Sequence, residues 1–209
     1  MLQRINIPKI DNYSKLEENI FDSYSESYSN SRFVDLKYSS NNIKVDFDNC
    51  YFENIVFKDN NLDGYIFSNC YFNNCDLSNS SLNDIGIHNT FFLNSKLSGV
   101  DLSSSIIKNT IFNECDFNYA IFSDSKLNNL DFDNCNFSNV TFFNLKFKSV
   151  FFNESLLVNS SIQNTSLKNI DISSCKIDNM RINIEDLKGS TINENQAISI
   201  IKNLDINII

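Results

Sequence analysis

From Phe47 onward, one residue in five is large and apolar, without a break. Stepping by five gives Phe47, Phe52, Phe57, Leu62, Phe67, Phe72, Leu77 and Leu82, and the series runs on to Ile182, Leu187 and Ile192. Every position in it is Phe, Leu or Ile. A period of five is neither the helical 3.6 nor the strand period of 2. A chain that buries one residue in five has to turn a corner every five residues. Four corners close a square, so the pattern predicts a coil in which residues twenty apart stack.

Two flanking positions point the same way. The residue two before each centre is mostly small, as at Cys50, Cys70, Cys75, Ser80, Thr90, Ser95, Cys115, Ala120, Ser125 and Cys135. A narrow interior holds such a residue beside a Phe. Ile55, Tyr65, Ile85, Leu130, Leu145, Ile170 and Met180 are large at this position, and local bowing of the coil is expected there. The residue two after each centre is mostly Asn, as at Asn49, Asn69, Asn89 and Asn109, or Gly at Gly64, Gly99 and Gly189. Asn and Gly accept positive φ and suit corners. Once coiled, one wall is lined by Phe52, Phe72, Phe92, Phe112, Phe132 and Phe152, then Ile172 and Ile192. About seven to eight coils at ~4.8 Å each make a rod of roughly 36 Å.

A solenoid exposes raw edges, and each has to be capped. At the C-terminal end Asn193 is placed to cap a helix, with Gln196 three residues on. A short helix is predicted from Glu194 to about Lys202, with Ala197, Ile198 and Ile201 on one face. Leu204, Ile206 and Ile208 alternate like a terminal strand. At the other end, residues 1–32 lack the period and read as an irregular segment or cap. Val34-Asp35-Leu36 looks like a repeat one register slip away from Phe47. The chain therefore divides into 1–32, a coil over 33–192, and a capping tail over 193–209.

Units such as Cys75-Asp76-Leu77-Ser78-Asn79, Val100-Asp101-Leu102-Ser103-Ser104 and Cys115-Asp116-Phe117-Asn118-Tyr119 resemble the consensus of the pentapeptide-repeat family. The resemblance covers residues 33–192. It implies an all-β fold, the right-handed quadrilateral β-helix, followed here by the short helix and terminal strand. The tail from Leu187-Lys188-Gly189 onward resembles the family's C-terminal module, which implies a homodimer through Ile198, Ile201, Leu204, Ile206 and Ile208. Some family members have the size and charge of duplex DNA and bind DNA gyrase or topoisomerase IV, protecting it from quinolones. One branch carries loop insertions; this chain, with its unbroken pentads, is similar to the loopless branch. The alternative is an interaction scaffold for an unrelated protein partner.

Composition narrows the chemistry. A length of 209 residues fits one domain, and a net charge of −9 argues against direct binding to nucleic acid. The same charge suits a partner whose natural ligand is an anion. No apolar stretch is long enough to span a membrane, and the start lacks the apolar core of a secretory signal, so a cytoplasmic location is expected. All six cysteines, Cys50, Cys70, Cys75, Cys115, Cys135 and Cys175, fall at the inward small position without metal-ligand spacing. His88, the single histidine, falls outward. No catalytic, cofactor or metal site is expected, and the protein is read as no enzyme.

What remains is the outside of the rod. Tyr51, Tyr71, Phe91, Leu93, Ile111 and Phe151 fall outward on the phenylalanine wall. Either they form a contact surface or the N-terminal segment covers them. Asp116, Asp131 and Asp133 are acidic candidates for the same surface. Lys108, Lys126, Lys146, Lys148, Lys168 and Lys188 fall on the neighbouring wall, where a solvated ridge is expected.

Overall fold

The computed structural model describes residues 13, 16–18, 20–22, 24–40 and 43–202. They form a parallel β-solenoid of about eight turns, closed by a short helix. Neighbouring turns pair in register at an offset of twenty, as in Phe72↔Phe92, Phe92↔Phe112 and Phe112↔Phe132. The coil has four walls. The lysine wall is centred on Phe67, Ile87, Ile107, Leu127 and Phe147, and the phenylalanine wall follows it. The third wall is centred on Phe57, Leu77, Leu97, Phe117 and Phe137, and the fourth on Leu62, Leu82, Leu102, Phe122 and Phe142.

A 12-stranded sheet covers the lysine and phenylalanine walls together, because Ile106–Asn113, Lys126–Asp133 and Lys146–Asn153 run round the corner between them. Ile121–Ser123, Thr141–Phe143, Ser161–Gln163 and Arg181–Ile182 pair on the fourth wall. Isolated bridges such as Val56↔Asp76 and Asp76↔Lys96 hold the third. Inside, the phenylalanines stack nearly parallel. Ring centroids are 4.3 Å apart for Phe72–Phe92, 4.7 Å for Phe92–Phe112 and 5.2 Å for Phe112–Phe132.

Size is only half the reason for the small inward residue. Ser80 Oγ donates to the Phe57 carbonyl at 2.8 Å, Ser105 to Leu82 at 3.0 Å and Ser125 to Leu102 at 2.7 Å. Thiols do the same: Cys70 donates to Phe47 at 3.5 Å and Cys135 to Phe112 at 3.3 Å. Each acceptor is the carbonyl of a centre residue one coil back. The position thus favours a residue that is small and a donor, which is why Ser, Thr and Cys recur there, although Ala120 and larger apolar residues such as Ile55 and Leu130 fill it in some units. Among the described residues no buried side-chain nitrogen or oxygen lacks a partner.

Corners are left-handed, with φ of 54° at Asn69, 50° at Asn89, 50° at Asn109 and 68° at Gly99. Asn brings a second benefit there. Asn109 Nδ2 donates to Asn89 Oδ1 at 3.0 Å and Asn129 Nδ2 to Asn109 Oδ1 at 2.9 Å, so the amides tie successive coils along one edge.

Both ends correct the sequence reading. The coil starts inside the segment 1–32 expected to be irregular: Tyr28 is a buried centre ahead of Phe33 and Tyr38, Ser27–Ser29 is a strand, and Ser31–Val34 begins within that segment too. Tyr28 pairs with Phe47 and Phe33 with Phe52, an offset of nineteen. A coil one residue short, with tyrosines at two of its three centres, falls out of the register counted back from Phe47. Val34-Asp35-Leu36 is therefore no unit centred on Leu36; Phe33 is the centre and Asp35, at φ 54°, is the corner. Phe21 covers the open end, stacked on Phe33 at 4.5 Å and edge-on to Tyr38 at 4.8 Å.

At the other end, the last pentads bend into helix α1, Ile184–Leu187, and helix α2 spans Glu194–Lys202. The α2 cap is reciprocal: Gln196 N donates to Asn193 Oδ1 and Asn193 N to Gln196 Oε1, both at 2.9 Å. The helix faces the coil with Gln196 and Ile200, however, and not with the Ala197–Ile198–Ile201 face. Ile198 is 43 % exposed and Ile201 36 %. The reason is polar: Gln196 Nε2 donates to the carbonyls of Ile172 and Cys175, each at 2.8 Å. It stands in for the donors a further coil would supply. Leu204, Ile206 and Ile208 lie outside the described residues.

Candidate functional site on the outer walls

The interior holds the groups with the most reactive chemistry. All six cysteines are buried and unpaired by disulfide. Burial pushes the Cys75 thiol up to about 12 and the Cys175 thiol up to about 11, and it raises Cys70 and Cys135 as well. Cys70, Cys75, Cys135 and Cys175 therefore stay protonated in the folded rod. Because the folded state holds the proton more tightly, the stability they contribute is intact below the unfolded thiol pKa. It is lost as pH rises from there toward 12. Urea midpoints are expected to fall steadily above about pH 9. Cys75→Ser keeps the donor position and should show a shallower fall; an unchanged slope would contradict the assignment.

Among the described residues no group of His, Cys, Asp and Glu is placed to hold a metal. No described helix is long and apolar enough to cross a membrane. His88 sits on the lysine wall beside Lys108, and burial, then that lysine, lowers its pKa. A recess of about 440 Å³ at the C-terminal end is lined by Ile162, Gln163, Met180, Arg181, Ile182, Asn183 and Ile200. None of these is a nucleophile or a general base.

Tyr51 and Tyr71 are not free on the surface. Each is 6 % exposed, because Tyr13 lies across both, with ring centroids 5.8 and 5.9 Å away. The Tyr13 hydroxyl donates to the Asn69 carbonyl at 2.6 Å, and Leu16 packs against the same cluster. Beyond them Glu17–Glu18 pairs in parallel with Ser31–Val34, so this segment joins the coil at its N-terminal end. The covering alternative is thus the one the molecule adopts. Tyr13→Ala should uncover the patch while leaving the coil folded. An increase in dye binding to exposed apolar surface and faster hydrogen exchange near residue 69, with a global loss under about 2 kcal/mol, is the expected result.

The stripe continues past the cover. Phe91 and Leu93 border it, and Ile111, Asp131 and Phe151 lie half-buried farther along the wall. Asp131 accepts from Asn153 Nδ2 at 2.8 Å and Asp133 from Asn113 Nδ2 at 2.9 Å. Burial, and then Asp133, raises the Asp131 carboxyl above the ordinary carboxylate value. Asp116 is elsewhere. It stands on the third wall and accepts from Ser98 Oγ at 2.6 Å, Asn136 Nδ2 at 2.8 Å and the Asn118 amide at 3.1 Å. The structure therefore joins Asp131 and Asp133 to the apolar stripe and separates Asp116 from them.

The fourth wall carries a second set of outward residues that counting by fives does not single out. Its outward and corner positions carry Asp63, Asp84, Asp101 and Asp124, and no Lys or Arg from Asn61 to Asn164. Tyr119 at its leading corner is 65 % exposed, with Ile121 at 44 % and Phe143 at 38 % nearby. The signal was available in the pattern, as apolar residues at outward positions.

Residues 65–134 match the model of a pentapeptide repeat region, and residues 43–79 match that of pentapeptide repeats in 8 copies. A comparison with curated proteins found no match. Among solved structures, QnrB1, a plasmid-mediated fluoroquinolone resistance protein, aligns with a TM-score of 0.54 and 19 % identity. The alignment covers 86 % of this chain and 100 % of that one. HetL, a pentapeptide repeat protein involved in heterocyst differentiation regulation from the cyanobacterium Nostoc, aligns with a TM-score of 0.53 and 8 % identity. It covers 80 % of this chain and 90 % of that one. At such identities the likeness speaks for the fold alone. The repeat matches, together spanning residues 43–134, identify pentapeptide repeats in this chain, and the register of twenty and the four-walled coil make its fold similar to those of QnrB1 and HetL.

Proposed function

We propose that this protein is a non-catalytic binding rod that occupies the duplex-DNA site of gyrase or topoisomerase IV and so modulates quinolone sensitivity. The observation that carries this reading is the fourth wall, where aspartates recur from coil to coil, at Asp63, Asp84, Asp101 and Asp124, with no intervening basic residue. Asp131 and Asp133 add charge two walls away. An acidic wall running along the rod offers a DNA-binding channel the sign it expects. The likeness of fold to QnrB1 agrees with the reading. Reduced thiols suit a cytoplasmic setting, where the enzyme resides.

A supercoiling assay with and without ciprofloxacin tests it. Inhibition or rescue of supercoiling at about micromolar protein is expected, and neither effect would end the proposal. The dimer is part of the same reading. Exposed Ile198 and Ile201 on α2 supply apolar surface that a second copy would bury. Light scattering should give twice the chain mass of 24.1 kDa; the single mass would remove the dimer. A second reading, an interaction scaffold for an unrelated protein, is favoured by the apolar stripe of Phe91, Leu93, Ile111 and Phe151.

A further inference from the structure

We infer that the lysine wall is a second binding surface, shaped for an acidic helical segment of a partner protein laid lengthwise along the rod. Lys126 and Lys146 stand directly in register on adjacent strands, and Lys148 lies beside Lys146 one residue across the Phe147 centre. Lys108 precedes them and Lys168 follows, its stem seated over Gly189, where any Cβ would lie 3.2 Å from it. All of these lysines are exposed.

Like charges placed opposite one another across strands are destabilising. The fold does nothing to relieve them. From Gly86 to Lys168 the outward positions of this wall contain no acid, although the chain has 26 acidic residues against 17 Lys and Arg. Among the described residues the ion pairs are Arg32–Glu53 at 2.9 Å and Lys188–Glu185 at 2.7 Å. Lys108, Lys126, Lys146, Lys148 and Lys168 have none. The acids sit instead on the neighbouring walls, with Asp124 at one corner of the ridge and Asp131 beyond the other.

That flanking charge selects the occupant. A duplex is broad enough to overlap both acidic borders, whereas one helix contacts a single wall. Coils repeat every ~4.8 Å, close to the ~5.4 Å pitch of an α-helix. Carboxylates three or four residues apart on one helical face therefore fall opposite successive lysines. Extended chain repeats its outward residue at roughly 6.8 Å and drifts out of step.

The test uses the full chain and a fluorescein-labelled synthetic helix bearing Glu on one face, with a scrambled peptide of equal charge. Lys146→Glu/Lys148→Glu is compared with Lys58→Glu/Lys96→Glu on the third wall, which changes net charge equally; circular dichroism checks that both fold. The expected result is anisotropy binding that weakens about tenfold or more in the first variant, less than about twofold in the second, and steadily with salt. Equal loss in both variants, equal binding of the scrambled peptide, or displacement by duplex DNA at matched charge would overturn the proposal. So would failure of the unmodified protein to bind at low salt. The supercoiling assay reads the acidic walls separately, so each proposal can fail alone.

Discussion

Replacing Phe92 by alanine is expected to destabilise the rod by about 3–5 kcal/mol, measured as a shift in the urea or guanidinium midpoint. Phe92 is 1 % exposed and stands between Phe72 and Phe112, with ring planes only 8° and 15° from parallel. Alanine removes both stacks and leaves a void that the rigid ladders above and below cannot close. Phe92→Leu should cost much less, because leucine already serves as a centre at Leu97 and Leu102 in the same coil. Phe91→Ala, one residue away and facing out, should stay below about 1.5 kcal/mol. Coils contact only their neighbours, so the variant is also the best place to see unfolding split into two steps. A loss under about 1 kcal/mol at Phe92 would mean the stack is not what holds the coils together.

Gln196→Ala is expected to cost about 2–4 kcal/mol: the Cys175 carbonyl loses its donor, the Ile172 carbonyl keeps only the Cys175 amide, and the helix cap is broken. Its amide reaches Ile172 and Cys175 across the last complete coil, and its Oε1 closes the Asn193 cap. Asn193→Ala isolates the cap alone and should cost only about 1 kcal/mol. Gln196→Glu at neutral pH presents a carboxylate where a donor is required and should be no better than alanine. Hydrogen exchange localises the effect: faster exchange is expected around residues 170–182, with residues 66–113 unchanged. Uniform change along the rod would show that the end is not independently capped.

The two cases differ in how far the sequence reveals them. Phe92 is legible at once as a member of the five-residue series. Gln196 is legible only as the partner of Asn193, because the spacing of three is local. Its second role depends on carbonyls 24 and 21 residues earlier, brought under the helix by the coil. The same distinction explains the outer surface. Counting by fives places Tyr51 and Tyr71 outward, correctly, but Tyr13 reaches them from 38 and 58 residues away by a path that has no period. Asp116 and Asp131 look close in sequence, yet one corner puts them on different walls.

The sequence by itself determined the coil, its register, the inward ladders of Phe and Cys, and the capping box. The first three follow from a repeat in which each residue's facing is set by its place in a unit of five, and the capping box from a local spacing of three. Only the tertiary structure decided where the coil begins, what covers the aromatic stripe, which face of α2 turns inward and which lysines go unpaired. Those outcomes depend on segments meeting at offsets the period does not fix: nineteen residues in the first coil, and an N-terminal strap laid across the second wall. The outer walls carry the function proposed for the rod, and their exposure is settled by contacts between segments, which no local pattern encodes.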